Sequence, residues 1–331
     1  MGGTGKLLDV RDIRVTFRSS DGPPARAVEG VSFALDAGET LAIVGESGCG
    51  KSVTGLALMR LIPSPPGIIE TGQAILEGTD LLTLPEHQMR DIRGGKIAMI
   101  FQEPMTSLNP VFKVGHQIAE AIHVHQDISK EDARTRVIDL LGRVQIPSPA
   151  ERFESYPHQL SGGMRQRVMI AMALACNSRV LIADEPTTAL DVTIQAQILE
   201  LLEGLRDQTG MGLILITHDL AVVAGTANRV AVMYAGRIVE QSPVAELFAK
   251  PLHPYTRGLL KSIPSRNVGQ AKLPVIPGTV PEASNKPAAC HFHPRCPYAR
   301  DICRQEVPEL RKLSPGRLTR CWALGDWLDE E

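Results

Sequence analysis

"TLAIVGESGCGKS" spans residues 40–52 and decides the fold. An apolar run leads into Gly-x-x-x-x-Gly-Lys-Ser, and a helical pattern follows. Glycines let successive backbone N–H groups turn towards phosphate oxygens, and the N-terminus of the next helix adds partial positive charge. In this pattern Lys51 reaches the β- and γ-phosphates and Ser52 holds Mg²⁺. The expected cradle is Gly45, Glu46, Ser47, Gly48, Cys49, Gly50, Lys51, Ser52 and Val53. Cys49 reads as a tolerated small residue whose thiol lies near N–H dipoles and Lys51, an environment that lowers a thiol pKa.

"VLIADEP" (180–186) supplies a second half. Its apolar strand delivers Asp184 to the metal, as P-loop nucleotidases require. Glu185, one residue further, is placed to orient and polarise the attacking water. An acidic pair capping a strand end would explain these two residues, but not the order of both halves on the right elements. The combination reads as a P-loop nucleotidase.

The surrounding chain agrees. "KIAMIF" (96–101), "RVLIAD" (179–184), "GLILIT" (212–217) and "RVAVMYA" (229–235) are short apolar runs of the kind that form parallel strands covered on both faces. Ile194, Ile198, Leu201, Leu202 and Leu205 recur at helical spacing, and residues 116–177 carry helical patterns without a convincing strand. The expectation is an α/β nucleotide-binding domain over 1–250, with a helical subdomain at about 103–177, and a small irregular extension over 251–331. The extension holds 11 of the 24 prolines and both tryptophans, so it is not expected to build a large core alone. A formal net charge of -2 gives no general basic field, and no nucleic-acid partner is expected. No run approaches 18 apolar residues, and "MGGTGKLLDVRD" lacks the apolar core of a signal peptide. A cytosolic chain with reduced thiols is therefore expected.

"LSGGMRQR" (160–167) resembles the signature motif of ATP-binding-cassette (ABC) proteins. Gln102 in "IFQEP" resembles the Q-loop, "TTALD" (187–191) the D-loop, and His218 in "ITHD" the switch histidine. The resemblance covers roughly residues 7–250. It implies a RecA-like core with an antiparallel β subdomain and a helical subdomain. It further implies adenine stacking on Phe17 in "IRVTF", a Gln102 contact to Mg²⁺ and catalytic water, and a γ-phosphate contact from His218. Ser161, Gly162, Gly163, Gln166 and Asp191 would then contact ATP held by a second subunit. The residues themselves support this: Ser-Gly-Gly at a helix start is a second anion-binding device, which one chain does not need for one nucleotide. Helix capping by Ser161, or a core position for His218, explains each piece but not their company.

"HPYTRGLL" (253–260) and "PRCPYARDIC" (294–303) resemble the C-terminal region of ATPase subunits from dipeptide and oligopeptide importers, nearest the D-type subunit. The resemblance implies a subunit that hydrolyses ATP to energise peptide import, peripheral on the cytoplasmic face of the inner membrane. Expected partners are a second homologous ATPase forming a heterodimer, two membrane permeases and an extracytoplasmic peptide-binding protein. The alternatives are the ATPase of an importer for nickel or another solute, a soluble ABC ATPase and an exporter motor. Soluble members usually carry two cassettes or long inserts, and exporter cassettes are commonly fused to membrane spans.

Cys290, Cys296, Cys303 and Cys321 place four of six cysteines within 32 residues of the tail. Zinc, aided by His291 or His293, is one reading, although its paired ligands usually lie two to four residues apart. A [4Fe–4S] cluster is another, with a spacing unlike the ferredoxin runs, and buried free thiols are a third. Since D-type relatives are known with a cluster, the resemblance favours [4Fe–4S] over Zn²⁺. Cys176 reads as a core residue at a helix end.

Overall fold

A computed structural model describes residues 6–20, 22–102, 107–188, 190–263, 274–324 and 327. Glu103 and Pro104 of "IFQEP" and Ala189 of "TTALD" lie outside the described residues. In chain order the strands are β1 (Leu8–Phe17), β2 (Ala25–Leu35), β3 (Thr40–Val44), β4 (Gly67–Leu76), β5 (Thr79–Asp80) and β6 (Ile97–Ile100). They continue with β7 (Val180–Asp184), β8 (Gly212–Thr217), β9 (Arg229–Tyr234), β10 (Arg237–Pro243), β11 (Arg311–Ser314) and β12 (Arg317–Thr319). The chain divides into two compact units interleaved in sequence.

The first unit contains Leu35–Glu39 and Thr83–Leu215. Strands β6 and β7 pair in parallel, Ile97 with Val180 through Ile100 with Ala183, and β8 borders β7. Every residue of β6, β7 and β8 is buried, as the continuous apolar runs require. Between β6 and β7 the described residues form helices without a strand, among them Val114–His125, Lys130–Arg143 and Gly162–Leu174. Lys130–Arg143 illustrates why. Its N-cap Ser129 accepts the Asp132 N–H, Glu131 and Asp132 occupy the first turn, and Arg143 closes the last. Ala133, Val137, Leu140 and Leu141 make its buried stripe. The helix Val192–Thr209 buries Ile198, Leu201, Leu202 and Leu205 and stops at the left-handed Gly210.

The second unit contains Leu8–Ala34, Thr40–Leu82 and Ile216–Glu331. One of its sheets has the order β2-β1-β4-β5, with β1 antiparallel to β4 from Leu8–Leu76 to Phe17–Gly67. In the other, β3 and β9 run parallel, β10 returns antiparallel to β9, and β12 and β11 extend the edge. The tail is thus built into this sheet: Thr319 pairs with Glu240, and the Arg320 N–H donates to the Val239 carbonyl at 2.7 Å. Its core is shared as well, since Tyr255, Leu260 and Phe292 pack in one buried cluster with Val44, Val232 and Tyr234.

Candidate functional site

The nucleotide machinery expected from the sequence is divided between the units. In the second unit, the fully buried β3 delivers the phosphate loop Gly45–Gly50, and the helix Lys51–Leu58 begins directly after it. Two glycines are required sterically. A Cβ on Gly45 (φ +155°) would lie 2.1 Å from the Met233 carbonyl oxygen, and one on Gly50 (φ +107°) 2.5 Å from that of Ala27. Gly50 is the N-cap and supplies no side-chain cap, so no side chain competes with phosphate for the first N–H groups of the helix. Ser47 and Gly48 are exposed, while Ser52 and Val53 in the first turn are half-buried. Lys51 is 5% exposed, and its ammonium donates to the carbonyls of Gly45 (2.8 Å) and Glu46 (3.2 Å). The loop's cation is therefore stored on the loop itself.

Cys49 corrects a sequence-based expectation. Its thiol is fully buried, and desolvation pushes its pKa up; the charge of Lys51 and nearby N–H dipoles only partly offset this. Burial of the thiolate outweighs the attraction, so Cys49 is not activated. Phe17 ends β1 half-buried, close enough to Gly67 that a Cβ there would lie 2.9 Å from its ring edge. His218 is exposed beyond β8, and Asp219 caps the next helix by accepting the Ala221 N–H at 2.7 Å.

In the first unit, β7 ends in Asp184, 4% exposed, and then Glu185. Glu185 adopts φ +47°, a left-handed conformation that non-glycine residues rarely take and that concentrates at functional sites. Gln102 Nε2 and Thr188 Oγ1 both donate to Glu185 Oε2 at 2.9 Å. Two donors on one oxygen fix the carboxylate's orientation, so Gln102 and Glu185 are brought together. Ser161 is the exposed N-cap of the helix Gly162–Leu174 and accepts the Met164 N–H at 3.3 Å. Gly162 is exposed and Gly163 half-buried; a Cβ on Gly163 would lie 2.9 Å from Ile194. Gln166 departs from its neighbours, being 1% exposed with neither amide atom hydrogen-bonded among the described residues. Its side chain is enclosed within this chain. Asp191 is exposed and spends Oδ1 on the Ile194 N–H, capping the helix Val192–Thr209. Cys176 is half-buried and donates to the Ala121 carbonyl at 3.3 Å.

The second unit also gathers the four tail cysteines. None is in a disulfide, and Cys303 and Cys321 are buried. Burial raises the thiol pKa values of Cys290, Cys296 and Cys321, to about 12 for the latter two, and Cys321 also feels the charge of Cys290, Cys296 and Cys303. In chemical type alone, four cysteines are donors that a soft metal centre takes. The protein alone does not form a finished site: among the described residues, no three His, Cys, Asp or Glu are arranged to hold an ion. The His291 imidazole is turned to the Ala235 carbonyl (3.1 Å), and His293 to that of Cys290 (2.8 Å).

Contacts that sequence reasoning missed tie the tail to the loop. Tyr255 Oη accepts the Glu46 N–H at 2.9 Å. Arg295 grips the Glu46 carboxylate with both Nη atoms, at 2.7 and 3.0 Å. At the tail's start, buried Glu240 accepts the N–H groups of Leu252 and His253 at 2.8 Å each. The only local signal was composition, in "HPYTRGLL" and "PRCPYARDIC".

Two regions of the chain match known families. Residues 28–188 match the ABC transporter family, and residues 239–303 the oligopeptide/dipeptide transporter C-terminal region. A probable peptide ABC transporter ATP-binding protein of Sinorhizobium fredii is 54% identical over 96% of this chain and 94% of its own. An oligopeptide transport ATP-binding protein of Bacillus subtilis is 53% identical over 96% and 89%, and a dipeptide transport ATP-binding protein of Escherichia coli 51% over 95% and 96%. Among solved structures, a dimeric bacterial ABC transporter cassette aligns with TM-score 0.64 and 26% identity over 72% of this chain and 99% of that one.

Proposed function

The chain belongs to the ATP-binding subunits of ABC transporters, and from that premise we propose that it hydrolyses ATP to drive import of di- or oligopeptides. The cargo class rests on one observation, the oligopeptide/dipeptide region at 239–303 behind a cassette on the same chain.

The residues divide the work as follows. Lys51 leaves the carbonyls of Gly45 and Glu46 for the β- and γ-phosphates, while the N–H groups of the loop and helix start receive the remaining oxygens. Ser52, Asp184 and Gln102 offer the hard oxygen donors that Mg²⁺ prefers and would hold it. The bound ion neutralises charge developing on the transferred phosphoryl group. Glu185, held by Gln102 and Thr188, orients and polarises the attacking water, and His218 contacts the γ-phosphate. Phe17 stacks on adenine. Ser161, Gly162 and Gly163 close over nucleotide bound to a second, homologous ATPase in a heterodimer, with Asp191 beside them. Their support is an exposed helix start with its own anion cradle; Gln166 lies behind this surface.

No helix among the described residues is long and apolar enough to cross a membrane. The chain is proposed to sit on the cytoplasmic face of the membrane, docked to two permeases that receive cargo from a binding protein. The cassette is assigned to residues 1–250, its helical subdomain to about 103–177, and the transporter-specific extension to 251–331. Cys290, Cys296, Cys303 and Cys321 are proposed to hold a [4Fe–4S] cluster that orders the extension. Anaerobically purified chain should then carry about four irons and four sulfides; one zinc would replace the cluster with a zinc clamp, and metal-free ordered protein would remove both.

The functional test is uptake of labelled di- and tetrapeptides into vesicles containing the complex, energised by ATP. Glu185→Gln should leave ATP binding intact and reduce hydrolysis at that site by more than about 100-fold. Peptide-independent nickel uptake would reassign the cargo.

A further inference from the structure

Glu46 is the second residue of the phosphate loop, and a carboxylate there works against a loop that must bind a polyphosphate. The structure answers this with an arginine from the tail. Arg295, its side chain 5% exposed, meets Glu46, 32% exposed, in a bidentate pair. The remaining donors of the guanidinium are committed too: Nε to the Pro277 carbonyl (2.7 Å) and Nη2 to that of Ile276 (3.3 Å). Nη1 also approaches Tyr234 Oη at 3.5 Å, with the guanidinium carbon 5.7 Å from the ring centre. A planar fork held on several sides keeps one orientation, which a lysine could not do.

The surroundings fix the same point from the other side. Tyr255, fully buried, takes the Glu46 N–H, and its ring lies 4.7 Å from Tyr234 and 5.4 Å from Phe292. Phe292 directly precedes the 3-10 helix His293–Arg295, which runs between Cys290 and Cys296. Backbone and carboxylate of one loop residue are thus both held by the tail.

We propose that Arg295 is a positioning residue for ATP binding: it neutralises and fixes Glu46, so that the ordered tail sets the affinity of the phosphate loop. Without the guanidinium, a carboxylate stands at the loop in a partly desolvated setting, where charge repulsion is weakly screened. Nucleotide binding then responds to the state of the 290–303 segment, although that segment contacts no phosphate. The inference rests on the reading of Gly45–Ser52 as an ATP site.

The test titrates the full-length chain with a fluorescent ATP analogue and Mg²⁺, with ATPase kinetics of the assembled complex alongside. Wild-type chain that bound no nucleotide would refute the ATP-site reading itself. Given wild-type binding, Arg295→Gln should weaken nucleotide affinity by about tenfold, with the loss in KM and kcat lowered by less than about twofold. Adding Glu46→Gln to Arg295→Gln should restore affinity to within about threefold, because the repelling carboxylate is gone. An unchanged affinity in Arg295→Gln, or an equal loss in the double variant, would overturn the proposal. If Arg295→Gln does not fold, Glu46→Gln alone carries the test. Its uncompensated Arg295 should tighten binding at low salt, and the gain should vanish at about 0.5 M salt; affinity unchanged from wild type at both salt levels would overturn the proposal.

Discussion

At Gly45 a single methyl group would strike the Met233 carbonyl, whereas the segment around Cys290 is secured by side chains bonded to residues 249 and 257 positions away in sequence. Apart from Glu46, the phosphate loop is shaped by backbone: glycine conformations packed against the Met233 and Ala27 carbonyls, a helix start and a lysine folded onto loop carbonyls. The tail is ordered by anchors: Arg295 on Glu46, Lys286 on Glu29, and Phe292 among Tyr234, Tyr255 and His253. A backbone device demands particular residue types at fixed short spacing. An anchored segment demands only that distant partners exist, so it tolerates proline-rich, irregular sequence.

The contrast predicts that one atom suffices to destroy the loop. Gly45→Ala should lower ATP affinity by more than about 100-fold, since the clash is with backbone that cannot step aside. Equilibrium dialysis with labelled ATP measures this, and near-normal binding would mean the loop is held as adaptably as the tail.

Acid should act on the tail's root. His253 is 1% exposed and its Nδ1 accepts the Tyr255 N–H at 3.1 Å. Burial holds its pKa down at about 3, so it is neutral when folded, whereas an unfolded histidine titrates near 6.5. The folded value is the depressed one, so this stability is present above about pH 6.5 and is lost as pH falls towards 3. The loss amounts to about 3 kcal/mol between pH 7 and pH 4. Urea unfolding across that range checks it, and His253→Gln should flatten the slope.

A single anchor should cost less. Lys286 bonds Glu29 at 2.9 Å and also the Arg26 carbonyl, but Arg237 remains on Glu29 at 2.8 Å. Lys286→Ala should therefore destabilise the chain by about 2 kcal/mol, below the usual cost of orphaning a buried charge. The denaturation midpoint of the variant is the measurement; no shift would deny Lys286 an anchoring role.

The smallest expected signal comes from Cys49. Sealed in the loop with a raised pKa, it should react with N-ethylmaleimide at least about tenfold more slowly in the native chain than in urea, by peptide mass mapping. Equal rates would show that the loop opens freely.

The sequence by itself determined the α/β cassette and the spacing of its motifs. Runs such as "VLIAD" and "GLILIT", short and bounded by polar or turn residues, suit strands buried on both faces, and Gly45, Gly50 and Lys51 stand at the spacing that a phosphate-binding turn demands. Strand period and the positive φ of these glycines act within a few residues, so they are visible in a row of letters, whereas the Met233 and Ala27 carbonyls that also exclude a Cβ there are not. The reactivity of Cys49, the inward turn of Gln166 and the grip of Arg295 on Glu46 were decided by tertiary structure. Each depends on what lies nearby in space: desolvation reverses the effect of a neighbouring lysine, and a guanidinium finds its carboxylate 249 residues back along the chain. Local spacing carries no record of such partners, because the burial and the charge pairing that create them exist only once the chain has folded.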